Sequence, residues 1–221
     1  MKTVIINLLG VEGAGKTTVS KYLQAILPSY FDVVLPISWA DALRLEIMLT
    51  GDCPTTTLRI VGELMKTPIV KIMSGVRQKL LDLGSLRRAE DPDYWIHAFK
   101  FQLESCQSFV KKCKSDIKIA IIVDDTRFMN EQLFLDHRTT YGCEVWDFLL
   151  FRNSVDEYLE AGRKYELVEI IGHLRARGEL FDIRNPHLTH GNKPGLSAAE
   201  DVIKILHEQT NLIKPISHEM H

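Results

Sequence analysis

The chain has 221 residues, 45% hydrophobic and 25% charged, with a formal net charge of −2 at pH 7. That balance belongs to a soluble globular protein able to bury a sizeable apolar centre, and it excludes a general attraction to nucleic acid or an anionic membrane. Affinity for phosphate must therefore come from a local arrangement of donors. Cys53, Cys106, Cys113 and Cys143 show neither a CxxC pair nor metal-ligand spacing, which argues for a reducing compartment and against a disulfide framework. The start has no signal-like architecture, and no stretch approaches the roughly 18 apolar residues of a membrane span, so a cytoplasmic protein is expected.

The first predicted elements are a strand and a helix joined by glycines. Val4-Ile5-Ile6-Asn7-Leu8-Leu9 leads into Gly10-Val11-Glu12-Gly13-Ala14-Gly15-Lys16-Thr17-Thr18, and a helix follows through Leu27. This fits G-x-x-x-x-G-K-[ST], the phosphate-cradling P-loop, with the flanking strand and helix that give the pattern meaning. A polyphosphate wrapped by backbone needs converging N–H groups, and glycines at 10, 13 and 15 allow positive φ and close approach. The nucleotide-binding set is thus Gly10, Gly13, Ala14, Gly15, Lys16, Thr17 and Thr18. The helix from Lys16 adds its positive N-terminal end. Lys16 is expected to reach the β- and γ-phosphates, and the Thr17 hydroxyl to hold Mg²⁺.

Pro28 and a turn at Tyr30 to Asp32 precede a second strand, Val33 to Ile37. Ser38 can cap a helix from Trp39 to Leu49, with Ala40, Leu43 and Ile47 on one face. Asp41 and Arg44 share a side near the strand's carboxyl end, the edge at which open α/β sheets bind ligands. Gly51 to Thr57 reads as a loop. A helical stripe through Ile69, Ile72, Met73, Val76, Leu80 and Leu83 is expected to stop at Gly84 as C′ residue, leaving Ser85 to Glu90 as a polar connection. Asp91 and Pro92 supply an N-cap and a proline at N1 for a long helix that turns Trp95, Ala98, Phe99, Leu103, Cys106 and Val110 inward. At its end, Lys111, Lys112 and Lys114 complement the helix dipole, a simpler reading than a nucleic-acid contact. Trp39 and Trp95 lie on apolar stripes, where filling the core is favoured over stacking on a base.

Ile117 to Val123 is almost unbroken apolar sequence, as in a strand covered on both faces, and ends in Asp124-Asp125-Thr126-Arg127. An acidic residue ending a strand beside the P-loop is the second half of a nucleotide site, holding Mg²⁺ directly or through water. Strand alternation lets only one of Asp124 and Asp125 face the phosphates. A helix from about Asn130 to Thr140 stops at Gly142, and Glu144 to Phe151 forms another strand. Ser154-x-x-Glu157 is a capping box. From Arg152 to Arg184 the chain is rich in arginine and poor in large apolar positions. Pro186 to Pro194 is a loop whose His187 and His190, without a third ligand, read as polar loop residues. Ser197-x-x-Glu200 caps a final helix through Leu206, and the tail after Asn211 is expected to be loosely ordered. Alternating strands and helices predict an α/β fold, a parallel sheet with helices on both faces.

Asp125-Thr126-Arg127-Phe128-Met129-Asn130-Glu131 resembles the D-[TV]-R-F-x-N-E signature of the bacteriophage-type deoxynucleoside monophosphate kinases. Leu83-Gly84-Ser85, then Arg87 or Arg88, then Asp91-Pro92-Asp93-Tyr94-Trp95 is similar to the LGT…R…DPDxW segment of that family. Trp39-Ala40-Asp41-Ala42-Leu43-Arg44 is similar to its FADxLK element. With the P-loop, these cover most of residues 1 to 150 in order. The resemblance implies a P-loop kinase fold: a parallel sheet of about five strands, a helical acceptor-binding insertion and a lid. The implied division is a core of 1–37, 111–151 and 195–212, an insertion of 38–110, a lid-like segment of 152–194 and a loose tail of 213–221. The resemblance selects Asp125 over Asp124 as the metal-side carboxylate and makes Arg127 a phosphate or acceptor ligand. It places Asp41, Arg44, Arg87, Arg88 and Trp95 at the acceptor. Arg163, Arg175 and Arg177 are lid candidates from composition, with a solvated charged helix as the equal alternative.

The activity this implies is transfer of the γ-phosphoryl group of ATP, with Mg²⁺, to a deoxynucleoside monophosphate, in the host cytoplasm if the chain is of phage origin. Lys16, Asp125, Arg127 and Asp41 form the catalytic set, with Thr17 and Asp125 on the metal. Phosphoryl transfer is catalysed mainly by positioning and charge stabilisation, and needs no strong base when the acceptor is already a phosphate dianion. A second reading keeps the kinase but changes the acceptor to a hydroxyl group, such as a hydroxymethyl pyrimidine in DNA, with Asp41 or Asp124 as base, or to a small phosphorylated metabolite such as phosphomevalonate. A third is a nucleotide-dependent switch or binding module. A homodimer is left open by the sequence.

Overall fold

A computed structural model describes residues 2–50, 74–113, 117–136, 142–151, 166–185 and 195–209. The features expected at Gly51 to Thr57, Ile69 to Met73, Lys114, Ser154 to Glu157, Pro186 to Pro194 and beyond Asn211 lie outside these residues, as do Cys53, Arg152, Arg163, Lys164, His187 and His190. In chain order the elements are β1 (Lys2–Leu9), α1 (Lys16–Ile26), β2 (Val33–Pro36), α2 (Trp39–Thr50), α3 (Ser74–Glu90), α4 (Tyr94–Cys113), β3 (Lys118–Val123), α5 (Met129–Asp136), β4 (Cys143–Phe151), α6 (Leu167–Arg177), β5 (Leu180–Arg184) and α7 (Leu196–Gln209). They divide into two compact units, Met1–Ser38 with Cys106–His221, and Trp39–Ser105.

In the first unit the strands form one parallel sheet in the order β2-β3-β1-β4-β5. β1 is its central strand, with Ile6 opposite Ile122 on one side and Trp146 on the other. From Thr3 to Leu9 every residue of β1 is buried, so both faces of the sheet are covered, as its near-continuous apolar sequence requires. Each fully buried leucine or isoleucine there contributes about 1.5–3 kcal/mol. The connection from β1 to β2 crosses the sheet in the opposite direction to those from β3 to β4 and from β4 to β5. With right-handed crossovers, α1 then lies on one face and α5 and α6 on the other. The helix contacts agree: α1 packs with α7, and α5 with α6.

Part of this unit differs from expectation. The described half of the arginine-rich segment is core, not lid: α6 buries Leu167, Ile170, Ile171 and Leu174, and β5 pairs with β4 as the fifth strand. Arginines between these apolar positions masked a 3.6-residue period followed by a short strand. The last helix starts at Leu196, where the Ala199 N–H already donates to the Gly195 carbonyl, so Ser197 lies inside the first turn and is not its N-cap.

In the second unit α2 packs on α3, and Trp39 stacks on Phe99 with ring centroids 3.9 Å apart. Gly84 does not end a helix: α3 continues through it to Glu90. The residues beyond it are good helix formers, and Arg87 donates to Glu90 at 2.8 Å, a favourable i,i+3 pair. Termination comes at Asp91-Pro92, since a residue before proline avoids helical angles. The Asp91 side chain accepts the Asp93 N–H at 2.9 Å, and α4 begins at Tyr94, two residues later than the proline-at-N1 reading places it.

Candidate functional site

The P-loop forms because β1 must turn sharply into α1. Gly15 caps α1 with φ 89° and ψ 15°, a left-handed conformation costly for any residue carrying a Cβ, and its carbonyl accepts the N–H groups of Thr18 and Val19, each at 2.9 Å. Ala14 is buried; its N–H donates to the Val11 carbonyl at 3.1 Å, and its own carbonyl accepts the Asn185 side-chain amide at 2.7 Å. Lys16 Nζ donates to the carbonyls of Gly10 and, at 3.0 Å, Val11, so the ammonium lies over the loop that its backbone starts. Thr17 and Thr18 are exposed on the first turn of α1.

β3 lies beside β1, with Asn7 opposite Val123, so the residues after Val123 emerge at the edge where the P-loop emerges. Asp124 and Asp125 are half-buried, Thr126 is buried and Arg127 is exposed. Side-chain hydrogen bonds hold this loop. The Ser38 hydroxyl, just past β2, donates to Asp125 Oδ2. The Thr126 hydroxyl donates to Asn7 Oδ1 at 2.8 Å. The buried Glu131 carboxylate accepts the N–H groups of Arg127 at 2.8 Å and Phe128 at 3.2 Å, the reach-back of a capping-box acid. Glu166, at the start of α6, accepts the Met129 N–H at 2.6 Å. Sequence motifs pointed to Asp125 and Arg127, and Ser38 was marked only as a helix cap; Asn7, Glu166 and Asn185 carried no pattern that marked them.

The acceptor candidates belong to the second unit. Arg44 donates to Asp41 at 2.7 Å, one helical turn apart on α2. Arg87 Nε donates to Glu46 at 2.8 Å, and its guanidinium lies 5.3 Å from the Tyr94 ring centroid. Its hydrogen bonds to the carboxylates of Glu46 and then Glu90 hold that guanidinium more firmly protonated than usual. The Tyr94 hydroxyl donates to Glu46 at 3.1 Å; burial first, and then Glu46, raise its pKa. Arg88 reaches the Gly84 carbonyl at 3.5 Å. Trp95 is 3% exposed, as the core-filling reading expects, and its indole N–H donates to the Gly84 carbonyl at 3.3 Å.

The two described lid candidates are on α6. Arg175 pairs with Asp182 at 3.2 Å, and Arg177 with Asp136 and Glu179, each at 2.9 Å. Both therefore brace carboxylates of their own unit. Among the described residues no three His, Cys, Asp or Glu side chains are grouped to hold a metal, and no helix is long and apolar enough to cross a membrane. Lys111 and Lys112 occupy the last turn of α4.

No protein-family model matches this sequence, and no curated protein matches it. Solved structures do resemble it. A tunicamycin resistance protein of Deinococcus radiodurans is 14% identical with a TM-score of 0.43, over 97% of this chain and 100% of that one. A thymidylate kinase of Ehrlichia chaffeensis is 16% identical with a TM-score of 0.40, over 93% and 100%. An APS kinase of Mycobacterium tuberculosis, in complex with AMPPNP and APS, is 15% identical with a TM-score of 0.37, over 93% and 97%.

Proposed function

We propose that the chain is an ATP-dependent kinase that passes the γ-phosphoryl group to a deoxynucleoside monophosphate, giving the diphosphate. The observation that carries this is one sheet edge bearing both a glycine turn into a helix N-terminus with Lys16 and, from the adjoining strand, the anchored Asp125 loop. Backbone N–H groups of the loop and the first turn of α1 favour a polyphosphate there. Lys16 moves its ammonium from backbone carbonyls onto the β- and γ-phosphates. Thr17 and Asp125 supply oxygen donors, and Mg²⁺, which takes one or two protein oxygens together with phosphate and water, suits that set. When bound it would neutralise charge on the β- and γ-phosphoryl oxygens. Arg127, exposed on the same loop, offers a guanidinium to the transferred group or the acceptor.

The unit 39–105 is the proposed acceptor-binding part, through Asp41, Arg44, Arg87 and Arg88. Engagement of Asp41 by Arg44 supports a phosphate acceptor, which needs positive charge and no base, over a hydroxyl acceptor. ADP formation should be followed with a panel of deoxynucleoside monophosphates, hydroxymethylated DNA and phosphomevalonate, for the wild type, Lys16→Ala and Asp125→Asn. Turnover with one or more monophosphates, lost by about 10²–10³-fold in each variant, is expected. Undiminished turnover in both folded variants would overturn the site; turnover with another acceptor would replace the substrate.

A further inference from the structure

Beneath the site, β1 carries a polar side chain that sheet packing does not need. Asn7 is fully buried between isoleucine and leucine neighbours. Its amide nitrogen donates to Asp147 Oδ1 at 2.7 Å, on β4, and to Gln132 Oε1 at 3.0 Å, on α5. Gln132 donates in turn to Asp147 Oδ1 at 3.3 Å and Asp136 Oδ1 at 3.0 Å. Asp147 and Gln132 are both 0% exposed.

With the Asn7 nitrogen on Asp147 Oδ1 and Gln132 Oε1, the Asn7 oxygen is turned the other way. That oxygen receives the Thr126 hydroxyl, from a side chain 2% exposed. Burying an amide and a carboxylate is costly unless they are hydrogen-bonded, and apolar residues of like volume would fill the space as well. What an apolar trio would lack is a fixed acceptor for Thr126. Thr126 is the link between Asp125 and Arg127.

We propose that Asn7 and Thr126 are positioning residues of the phosphoryl transfer: the Asp147–Asn7–Gln132 cluster is a rigid mount that holds Thr126 inward and so keeps the Asp125 carboxylate outward. This rests on the kinase reading, in which Asp125 serves the metal. Ser38 and Glu131 fix the loop from its two ends, and the Thr126 hydroxyl fixes its middle. The carboxylate is then ordered before the nucleotide arrives, which is how a supporting residue raises a rate without touching substrate.

Thr126→Val removes the hydroxyl at nearly constant shape, and Thr126→Ser restores it. The measurements are kcat, KM for ATP, the Mg²⁺ dependence of the rate, and the unfolding midpoint. In Thr126→Val, kcat should fall about 10–100-fold and half-maximal rate should need more Mg²⁺, with KM for ATP within about twofold; Thr126→Ser should lie within about twofold of wild type throughout. Unchanged kcat and Mg²⁺ dependence in Thr126→Val overturns the proposal. Equal losses in the valine and serine variants also overturn it, since packing and not the hydroxyl would then be responsible. If Thr126→Val does not fold, Thr126→Ala removes the same hydroxyl and is read by the same criteria. Should the wild type turn over none of the acceptors, the kinase reading fails by itself, and Mg²⁺-dependent binding of a fluorescent ATP analogue decides the positioning claim: a Mg²⁺ requirement raised in the valine variant and restored in the serine variant supports it, and superimposable titrations overturn it.

Discussion

Gly195 is the residue whose substitution should best expose how tightly the P-loop helix is seated. It precedes α7 with φ +82°, and a Cβ added to it would lie 2.9 Å from Thr18 Cγ2 and 3.4 Å from both Thr18 Cβ and the Val19 nitrogen. Gly195→Ala therefore meets two penalties. Left-handed backbone costs an alanine about 1–2 kcal/mol, and intrusion on a β-branched neighbour with no flexible end to swing aside costs about 1–3 kcal/mol. Reduced freedom of the unfolded chain returns about 0.4–1 kcal/mol, for a net loss of about 1–4.6 kcal/mol. Urea unfolding followed by tryptophan fluorescence would measure it. Thr18→Ser in the alanine background deletes the offending Cγ2 and should recover about 1–2 kcal/mol, leaving the backbone part. A Gly195→Ala protein within about 0.5 kcal/mol of wild type, or a double variant no more stable than the single one, would refute this reasoning.

Two further outcomes follow from burial. Asn185→Ala leaves the Ala14 carbonyl without its 2.7 Å donor, which should cost about 1–3 kcal/mol in urea unfolding and raise KM for ATP more than it lowers kcat, because the loop and not the transferred group is disturbed. Burial pushes the Cys143 thiol up to about 11 from an ordinary 9.0, opposed by the Gln107 amide that donates to Sγ at 3.2 Å. Because the folded pKa is the higher, this contribution is fully present below about pH 9 and is lost as pH rises through about 11. Cys143→Ala should remove up to about 3 kcal/mol of the fall in stability between those limits, checked by unfolding at pH 8, 10 and 11.

The sheet was legible because its strands are short apolar runs bounded by turns, and the P-loop because its glycines, lysine and threonine occur at a spacing that few other turns need. β5 and α6 were hidden by arginines whose charge belongs to the solvent side of apolar positions such as Ile170 and Ile183. Gly84 misled for a different reason. Glycine ends helices when only local preference acts, but here α3 runs on through it: its carbonyl accepts the Trp95 indole N–H, and an added Cβ would make only ordinary contact, 3.5 Å from Leu43 Cδ2. Asn7, Asp147 and Gln132 could not be foreseen, since they come together from β1, β4 and α5 only after the strand order is set.

The central place of β1 has a consequence for synthesis. Its neighbours, β3 and β4, begin at Lys118 and Cys143, so this central, buried strand leaves the ribosome long before either exists to pair with it. The nascent chain must carry Val4 to Leu9 unpaired while the whole of residues 39–105 is made, an interval in which it can adhere to other chains. Translation speed and chaperone supply should then govern the yield of native protein more strongly than they would for a sheet assembled hairpin by hairpin.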